Sequence, residues 1–238
     1  MSSTNARVLV VDDDPQILRA VRTSLGAHGF DVSTAGNGET AVDMLAKESV
    51  DVVLLDLGLP GIDGLEVIER VRTWSDVPII VLSVRETQQE KAGALDAGAD
   101  DYITKPFGMQ ELLARMRAVR RRVEPAEPAE PVLRFGELEI DRGRRLVRLD
   151  GQPVHLTPTE YRLLEALATN AGKLLTHGWL LHRVWGPAYE SEAQYLRVFI
   201  RQLRKKLGDD ATRPRFILTE PGLGYRWKPD ASPDAGDA

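Results

Sequence analysis

The sequence predicts an α/β protein in two parts: a doubly wound, five-stranded parallel sheet, followed by a smaller α+β domain. Three observations predict it. Short apolar runs alternate with helical stripes through the first 123 residues. The segment EPAEPAEP (124–131) then interrupts that pattern. Across it the charge changes sign: residues 1–123 hold 14 Lys and Arg against 19 Asp and Glu (−5), and residues 132–228 hold 17 against 11 (+6). An acidic half joined to a basic half suggests a control module tied to a module that binds a polyanion.

The strand-type runs of the first part are ARVLVV (6–11), DVSTA (31–35), VDVVLL (50–55), VPIIVLS (77–83) and DDYIT (100–104). Near-continuous Val, Ile and Leu in three of them mark strands covered on both faces. Between the runs lie apolar stripes at helical spacing: Ile17, Leu18, Val21 and Leu25; then Ala41, Leu45 and Ala46; then Leu65, Ile68 and Val71. In the linker, Pro at every third position favours extended chain, and Glu keeps it hydrated.

The second part, 132–229, opens with short alternating runs separated by Arg-Gly and Asp-Gly turns, the pattern of antiparallel strands. Thr157-Pro158-Thr159-Glu160 is a helix start: Thr157 as N-cap, Pro158 at the first helical position, Glu160 closing a capping box. Tyr161, Leu164, Leu167 and Ala168 give that helix its buried side. A shorter helix begins at Thr176 and runs through Trp185, and a long one runs from about Glu192 to Leu207, stopped by Gly208. RFILTEPGLGYRWKP (215–229) reads as a hairpin, and the tail, 230–238, has the composition of disordered chain.

The chain has no Cys, which excludes disulfides and thiolate metal sites and fits a reducing cytoplasm. MSSTNARVLVV lacks a signal-peptide pattern, and no apolar run approaches the roughly 18 residues of a membrane span. A cytoplasmic protein that does not itself bind a membrane is expected.

The chemistry lies at the strand ends. In a doubly wound sheet, ligands bind beyond the carboxyl ends of the strands, at the switch point. Val8–Val11 leads into Asp12, Asp13 and Asp14; Val52–Leu55 leads into Asp56. Asp14, followed by Pro15, suits a helix cap. Carboxylates this close disfavour one another's ionisation, and a hard divalent cation such as Mg²⁺ relieves the conflict. VPIIVLS delivers the hydroxyl of Ser83, and DDYITKPF delivers the ammonium of Lys105. One nucleophile, one metal, one hydroxyl and one ammonium make a phosphoryl-transfer site with Asp56 as covalent acceptor.

VLVVDDDP, DLGLPGIDG, VLS and DDYITKPF, within residues 7–122, resemble the receiver domain of bacterial two-component response regulators. The resemblance implies a flavodoxin-like sheet of order 2-1-3-4-5 and phosphorylation of Asp56 by a sensor histidine kinase. It implies Mg²⁺ held by Asp13, Asp56 and the Gly58 carbonyl with Asp12 assisting. Ser83 and Lys105 would hold the phosphoryl oxygens, and Tyr102 would be a switch aromatic that turns inward as Ser83 moves. In regulators of the OmpR/PhoB type, the surface of the fourth helix, fifth strand and fifth helix pairs two phosphorylated receivers. On that pattern Lys91 with Glu111, and Asp101 with Arg115, are the cross-subunit pairs of a homodimer, around an apolar patch containing Leu95.

SEAQYLRVFIRQLRKKLG (191–208) has two faces at helical spacing. Leu196, Ile200, Leu203 and Leu207 form an apolar back, and Gln194, Arg197, Val198, Arg201 and Lys205 a front; Arg204 adds to the basic set. A helix of this kind fits the major groove of double-stranded DNA. TPTEYRLLEALATNAGKLLTHGWLLHRVWG and ILTEPGLGYRW resemble the winged helix-turn-helix effector domain of OmpR/PhoB regulators. This implies a four-stranded antiparallel sheet ahead of the helices, Arg226 on the wing near DNA, and a contact with RNA polymerase through the loop from Gly186 to Ser191. Within the family, WGPAYESE, YLRVFIRQLRKKL and TEPGLGYR most resemble the regulators of high-affinity potassium-transport operons. The implied kinase is the membrane sensor of the same system.

Two other readings stay open on the residues. A haloacid-dehalogenase-like phosphohydrolase also uses an Asp nucleophile with Mg²⁺. Asp12 and Asp14 meet its D-x-D spacing, but Gln16 stands where Thr or Val is needed, and Gly58 offers no general acid. An orphan regulator would bind DNA without phosphorylation. The reading adopted is a phosphorylation-switched regulator and not an enzyme.

Overall fold

The computed structural model describes residues 5–84, 87–120, 131–186, 189 and 192–229. These form two compact units, dividing after Arg121. The expected linker (apart from Pro131), the expected tail and most of the 186–191 loop lie outside the described residues.

The first unit is a parallel sheet of β1 (Arg7–Val11), β2 (Asp31–Ala35), β3 (Val52–Asp56), β4 (Ile79–Ser83) and β5 (Asp101–Thr104), in the order β2-β1-β3-β4-β5. Its helices are α1 (Pro15–Ala27), α2 (Gly38–Lys47), α3 (Gly64–Arg72), α4 (Gln88–Ala97) and α5 (Met109–Arg120). Val8–Val11, Val52–Leu55 and Ile79–Leu82 are all buried, as continuous apolar strands covered on both faces must be. Val8, Val10, Val52, Leu54, Ile80 and Leu82 pack with Val21 and Leu25 of α1 and with Leu112, Met116 and Val119 of α5. Chain order turns back at β1, which has β2 on one side and β3 on the other, so the switch point lies between β1 and β3.

Two stripe assignments are corrected. Ala46 is exposed, and Leu65 is 36% exposed. The buried side of α3 is Gly64, Val67, Ile68 and Val71, the i, i+3, i+4, i+7 spacing of one helix face. Gly64 explains the difference: a Cβ there would collide with the Asp56 carbonyl, so the helix enters with residue 64 against the sheet and turns Leu65 away.

The second unit begins with an antiparallel sheet of β6 (Val132–Phe135), β7 (Leu138–Asp141), β8 (Leu146–Leu149) and β9 (Gln152–Pro153), in that order. Asp150 and Gly151, at φ 52° and 75°, make the tight β8–β9 turn. Helices α6 (Pro158–Ala168), α7 (His177–Val184) and α8 (Ala193–Leu207) pack against one another. The capping box at Thr157 forms as expected: the Glu160 amide donates to the Thr157 hydroxyl, and the Thr157 amide donates to Glu160 Oε2 at 2.7 Å. β10 (Leu174–Thr176) has no counterpart among the expected elements; β11 (Ile217–Glu220) and β12 (Gly224–Trp227) form the expected hairpin. β10 adds to β12 and completes a three-stranded sheet. Its three residues run directly into the α7 cap, too short a run to show alternation.

Candidate functional site: an acidic phosphoacceptor pocket and a basic helix

Register builds the pocket. Val11 pairs with Leu55, so Asp12 and Asp56 emerge side by side one residue later. Ser83 pairs with Thr104 on β5, and the next residue is Lys105. The Lys105 amide donates to the Ser83 carbonyl at 2.7 Å. Its ammonium donates to Asp12 Oδ2 at 2.6 Å and lies 3.2 Å from Asp56 Oδ2.

Asp12 is 1% exposed, and its other oxygen accepts the Asp14 amide at 2.9 Å. Asp13 stands exposed on the rim. One ligand oxygen each from Asp12, Asp13 and Asp56 lie within 4.8 Å of one another. Three carboxylates thus face one ammonium, and the pocket keeps an excess of negative charge. Burial by itself would lower the Lys105 pKa. The Asp12 hydrogen bond and the charges of Asp56 and Asp12 outweigh burial and hold it above the ordinary lysine value. The donors are hard oxygens, clustered and only partly neutralised, which fits a hard divalent cation. Gly58 runs close alongside: a Cβ on it would stand 3.7 Å from Asp56 Oδ2. Ser83 is buried at the end of β4, and Tyr102 is already turned in, 2% exposed. Asp14 is the α1 N-cap, with Pro15 at the first helical position.

The expected dimer residues are placed differently. Asp101 is fully buried and bonds Arg115 of the same chain at 3.1 Å, while Arg115 also reaches Glu111 at 2.9 Å. Asp101 Oδ1 accepts the Tyr102 amide as well, at 2.7 Å. The Asp101–Arg115 pair is therefore closed within one chain, because α5 lays Arg115 over the start of β5. Leu95, on α4, is 1% exposed, so within one chain it presents almost no surface. Lys91 is half-buried on α4 and Glu111 is exposed on α5.

On α8, Gln194, Arg197, Arg201 and Lys205 lie along one side, the three basic residues exposed. Those three follow at i, i+4, i+8, a stripe about 12 Å long. Two members of the expected front are corrected. Val198 is 6% exposed, on the buried side of α8 with Tyr195, Leu196 and Phe199. Arg204 turns inward: its Nη2 donates to the Ile217 carbonyl at 2.7 Å and to the Thr219 hydroxyl at 2.9 Å. Lys206 is likewise engaged, at 2.6 Å from Glu160. On β12, the Arg226 guanidinium donates to the Gly172 carbonyl at 2.6 Å and to Glu220 at 3.1 Å, so two of its donors serve the fold. Burial raises the Tyr225 pKa, with the charges of Arg204 and Arg197 opposing it.

Two buried ionic hubs escape a reading of the sequence. Arg72 joins Asp100 at 2.9 Å and also donates to the Gly98 and Ser75 carbonyls. Asp209 accepts the amides of Arg215, Phe216 and Ile217. Neither has a periodic signal. Asp209 could have been suspected only as an acid directly after the helix-stopping Gly208.

An acidic pocket at the switch point of a five-stranded parallel sheet, followed by a winged helix carrying a basic stripe, defines a response regulator with a DNA-binding output. The family comparisons agree in both halves: residues 8–117 match the response regulator receiver domain, and residues 151–227 match the C-terminal domain of transcriptional regulatory proteins. The chain belongs to the OmpR/PhoB-type response regulators. It is 52% identical to the transcriptional regulatory protein KdpE of Mycobacterium tuberculosis, over 93% of this chain and 98% of that protein. It is 44% identical to the KDP operon transcriptional regulatory protein KdpE of Escherichia coli K12, over 92% and 98%. Among solved structures, a mutant of RitR superposes with a TM-score of 0.76 at 26% identity, covering 94% of this chain and 99% of that one. A receiver implies a sensor kinase as partner, and the output domain implies DNA. Among the described residues no helix is long and apolar enough to cross a membrane.

Proposed function

We propose that this chain switches transcription of potassium-transport genes of the kdp type when a KdpD-like sensor histidine kinase phosphorylates Asp56. The observation that carries the switch is the Lys105 ammonium set between Asp12 and Asp56 at 2.6 and 3.2 Å. The identity with two KdpE proteins over almost the whole chain supports the operon.

An Asp56 carboxylate oxygen attacks the phosphorus of a phosphohistidine. The P–N bond breaks, the imidazole leaves, and an acyl phosphate remains on Asp56. The Lys105 ammonium then donates to a phosphoryl oxygen, and the Ser83 hydroxyl donates to another. Asp12, Asp13, Asp56 and the Gly58 carbonyl would hold Mg²⁺, which supplies charge neutralisation at the phosphoryl oxygens when bound. Tyr102 and Ser83 report the new charge to the α4–β5–α5 face. There Lys91, Glu111, Asp101 and Arg115 would exchange partners with a second copy, opening the intrachain Asp101–Arg115 pair. A dimer places two output domains on adjacent half-sites and raises their local concentration. Gln194, Arg197, Arg201 and Lys205 face the major groove, and the α7–α8 loop contacts RNA polymerase. The setting is the cytoplasm.

The test is footprinting and sedimentation with and without a small acyl-phosphate donor and Mg²⁺, comparing the chain with Asp56→Asn. Donor-dependent dimerisation and operator protection, absent in Asp56→Asn, are expected. Equal behaviour of the two proteins overturns the switch, and turnover of phosphate monoesters would favour the phosphohydrolase reading instead.

A further inference from the structure

The basic residues at the end of α8 do two different jobs. Lys205 is exposed on the stripe, but Arg204 has a side chain only 13% exposed and aimed at the wing. Its Nη2 bonds the Ile217 carbonyl and the Thr219 hydroxyl, both on β11. Its Nε stands 3.7 Å from Asp209 Oδ2. Asp209, whose side chain is fully buried, accepts Arg215 N at 2.6 Å and Phe216 N at 3.2 Å on Oδ1, and Ile217 N at 3.1 Å on Oδ2. The Asp209 amide in turn donates to the Arg204 carbonyl at 2.8 Å. The last turn of α8 and the first residues of β11 are thus tied by backbone and side chain together. β11 pairs residue for residue with β12, so the tie fixes the whole hairpin.

The wing tip itself, Glu220-Pro221-Gly222-Leu223-Gly224, carries a carboxylate and an apolar side chain 56% exposed, with no Lys or Arg. Such a tip gains little from charge attraction to DNA. Its contribution depends on where it is held relative to the stripe on α8.

We propose that Arg204, through Asp209, is a positioning residue for DNA recognition: it locks the wing to the recognition helix and sets the spacing at which both meet the duplex, without contacting phosphate. This rests on the DNA-binding reading above. It assigns sequence preference to a side chain that touches no base.

The experiment uses the full chain, phosphorylated with a small acyl-phosphate donor and Mg²⁺, and a duplex that this phosphorylated chain itself selects from a random-sequence library. Affinity for that duplex and for a scrambled one is measured over a salt series for Arg204→Lys, Arg204→Met and Asp209→Asn, with hydroxyl-radical footprints. Arg204→Lys is the decisive and gentlest variant, since it keeps a cation but is shorter and cannot set one nitrogen on residues 217 and 219 while a second faces Asp209. If Arg204 is a lock, Arg204→Lys loses wing-side protection, and its preference for the selected duplex falls about tenfold, the scale of one lost base-pair contact. The logarithmic salt slope stays unchanged. If Arg204 contacts phosphate, Arg204→Lys behaves as the unaltered chain, and Arg204→Met lowers the slope by about 0.9 on both duplexes; either result overturns the proposal. Unaltered preference in all three variants overturns it as well. Failure of the unaltered chain to select any duplex removes the DNA-binding reading itself, a distinct outcome.

Discussion

Replacing Lys105 with Met removes the one ammonium that the described pocket places between Asp12 and Asp56, at nearly constant volume. Asp12 is 1% exposed and loses its 2.6 Å partner; Asp56 loses one at 3.2 Å. Breaking a buried pair from one side costs about 3–5 kcal/mol. The side chains of Lys105 and Asp56 keep 11% and 14% exposure, which places the loss at the lower end, about 3 kcal/mol. A cation bound to the same oxygens offsets part of this, because it no longer meets the ammonium. One unit charge about 5 Å away is worth on the order of 3 kcal/mol at an effective dielectric near 20, so saturating Mg²⁺ should narrow the deficit by at least about 1 kcal/mol. Two units need not unfold together, so the readout is native-state amide hydrogen exchange of β1, β3 and β5 rather than a single melting curve. A deficit near 3 kcal/mol in chelator, shrinking with Mg²⁺, is expected, on the scale of a buried pair broken from one side. Unchanged protection in chelator, or a deficit indifferent to Mg²⁺, refutes the charge balance drawn here.

Arg72→Ala leaves Asp100 fully buried without its cation and should cost about 3–5 kcal/mol, read as faster exchange of the Ile79 amide, which Asp100 also accepts. Thr157→Ala removes half of the capping box and should lower the stability of the second unit by about 1 kcal/mol, measured by urea denaturation. On α8, Arg201→Met should reduce the salt slope of DNA binding by about 0.9, whereas Val198→Ala should leave the slope alone and destabilise the core, which melting of the free protein detects.

The parallel sheet was legible because three of its strands carry their own signal, near-continuous apolar runs leading into polar residues, and all five recur at a spacing that admits a helix between them. The pocket followed, since strand ends converge at the switch point whatever the helices do. What was not legible depended on rotation and on distance along the chain. Leu65 and Val67 compete for one face of α3, and only the close approach of Gly64 to the β3 exit decides between them. Val198 and Arg204 sit at the margin of the polar face of α8, where a small helix rotation decides between groove and core: Val198 is buried, and Arg204 is bonded to β11. Arg72 and Asp100 are 28 residues apart, and no local pattern announces their contact.

The central claim is that Asp56, held at the rim beside Asp12, Asp13 and Lys105, is the residue that takes up phosphate. Intact-mass and peptide mass spectrometry of the chain treated with a small acyl-phosphate donor and Mg²⁺ measures this directly. A single hydroxylamine-labile phosphoryl group on the peptide containing Asp56, abolished by chelator and by Asp56→Asn, is the predicted result. A phosphoryl group elsewhere, or none with the pocket intact, contradicts it.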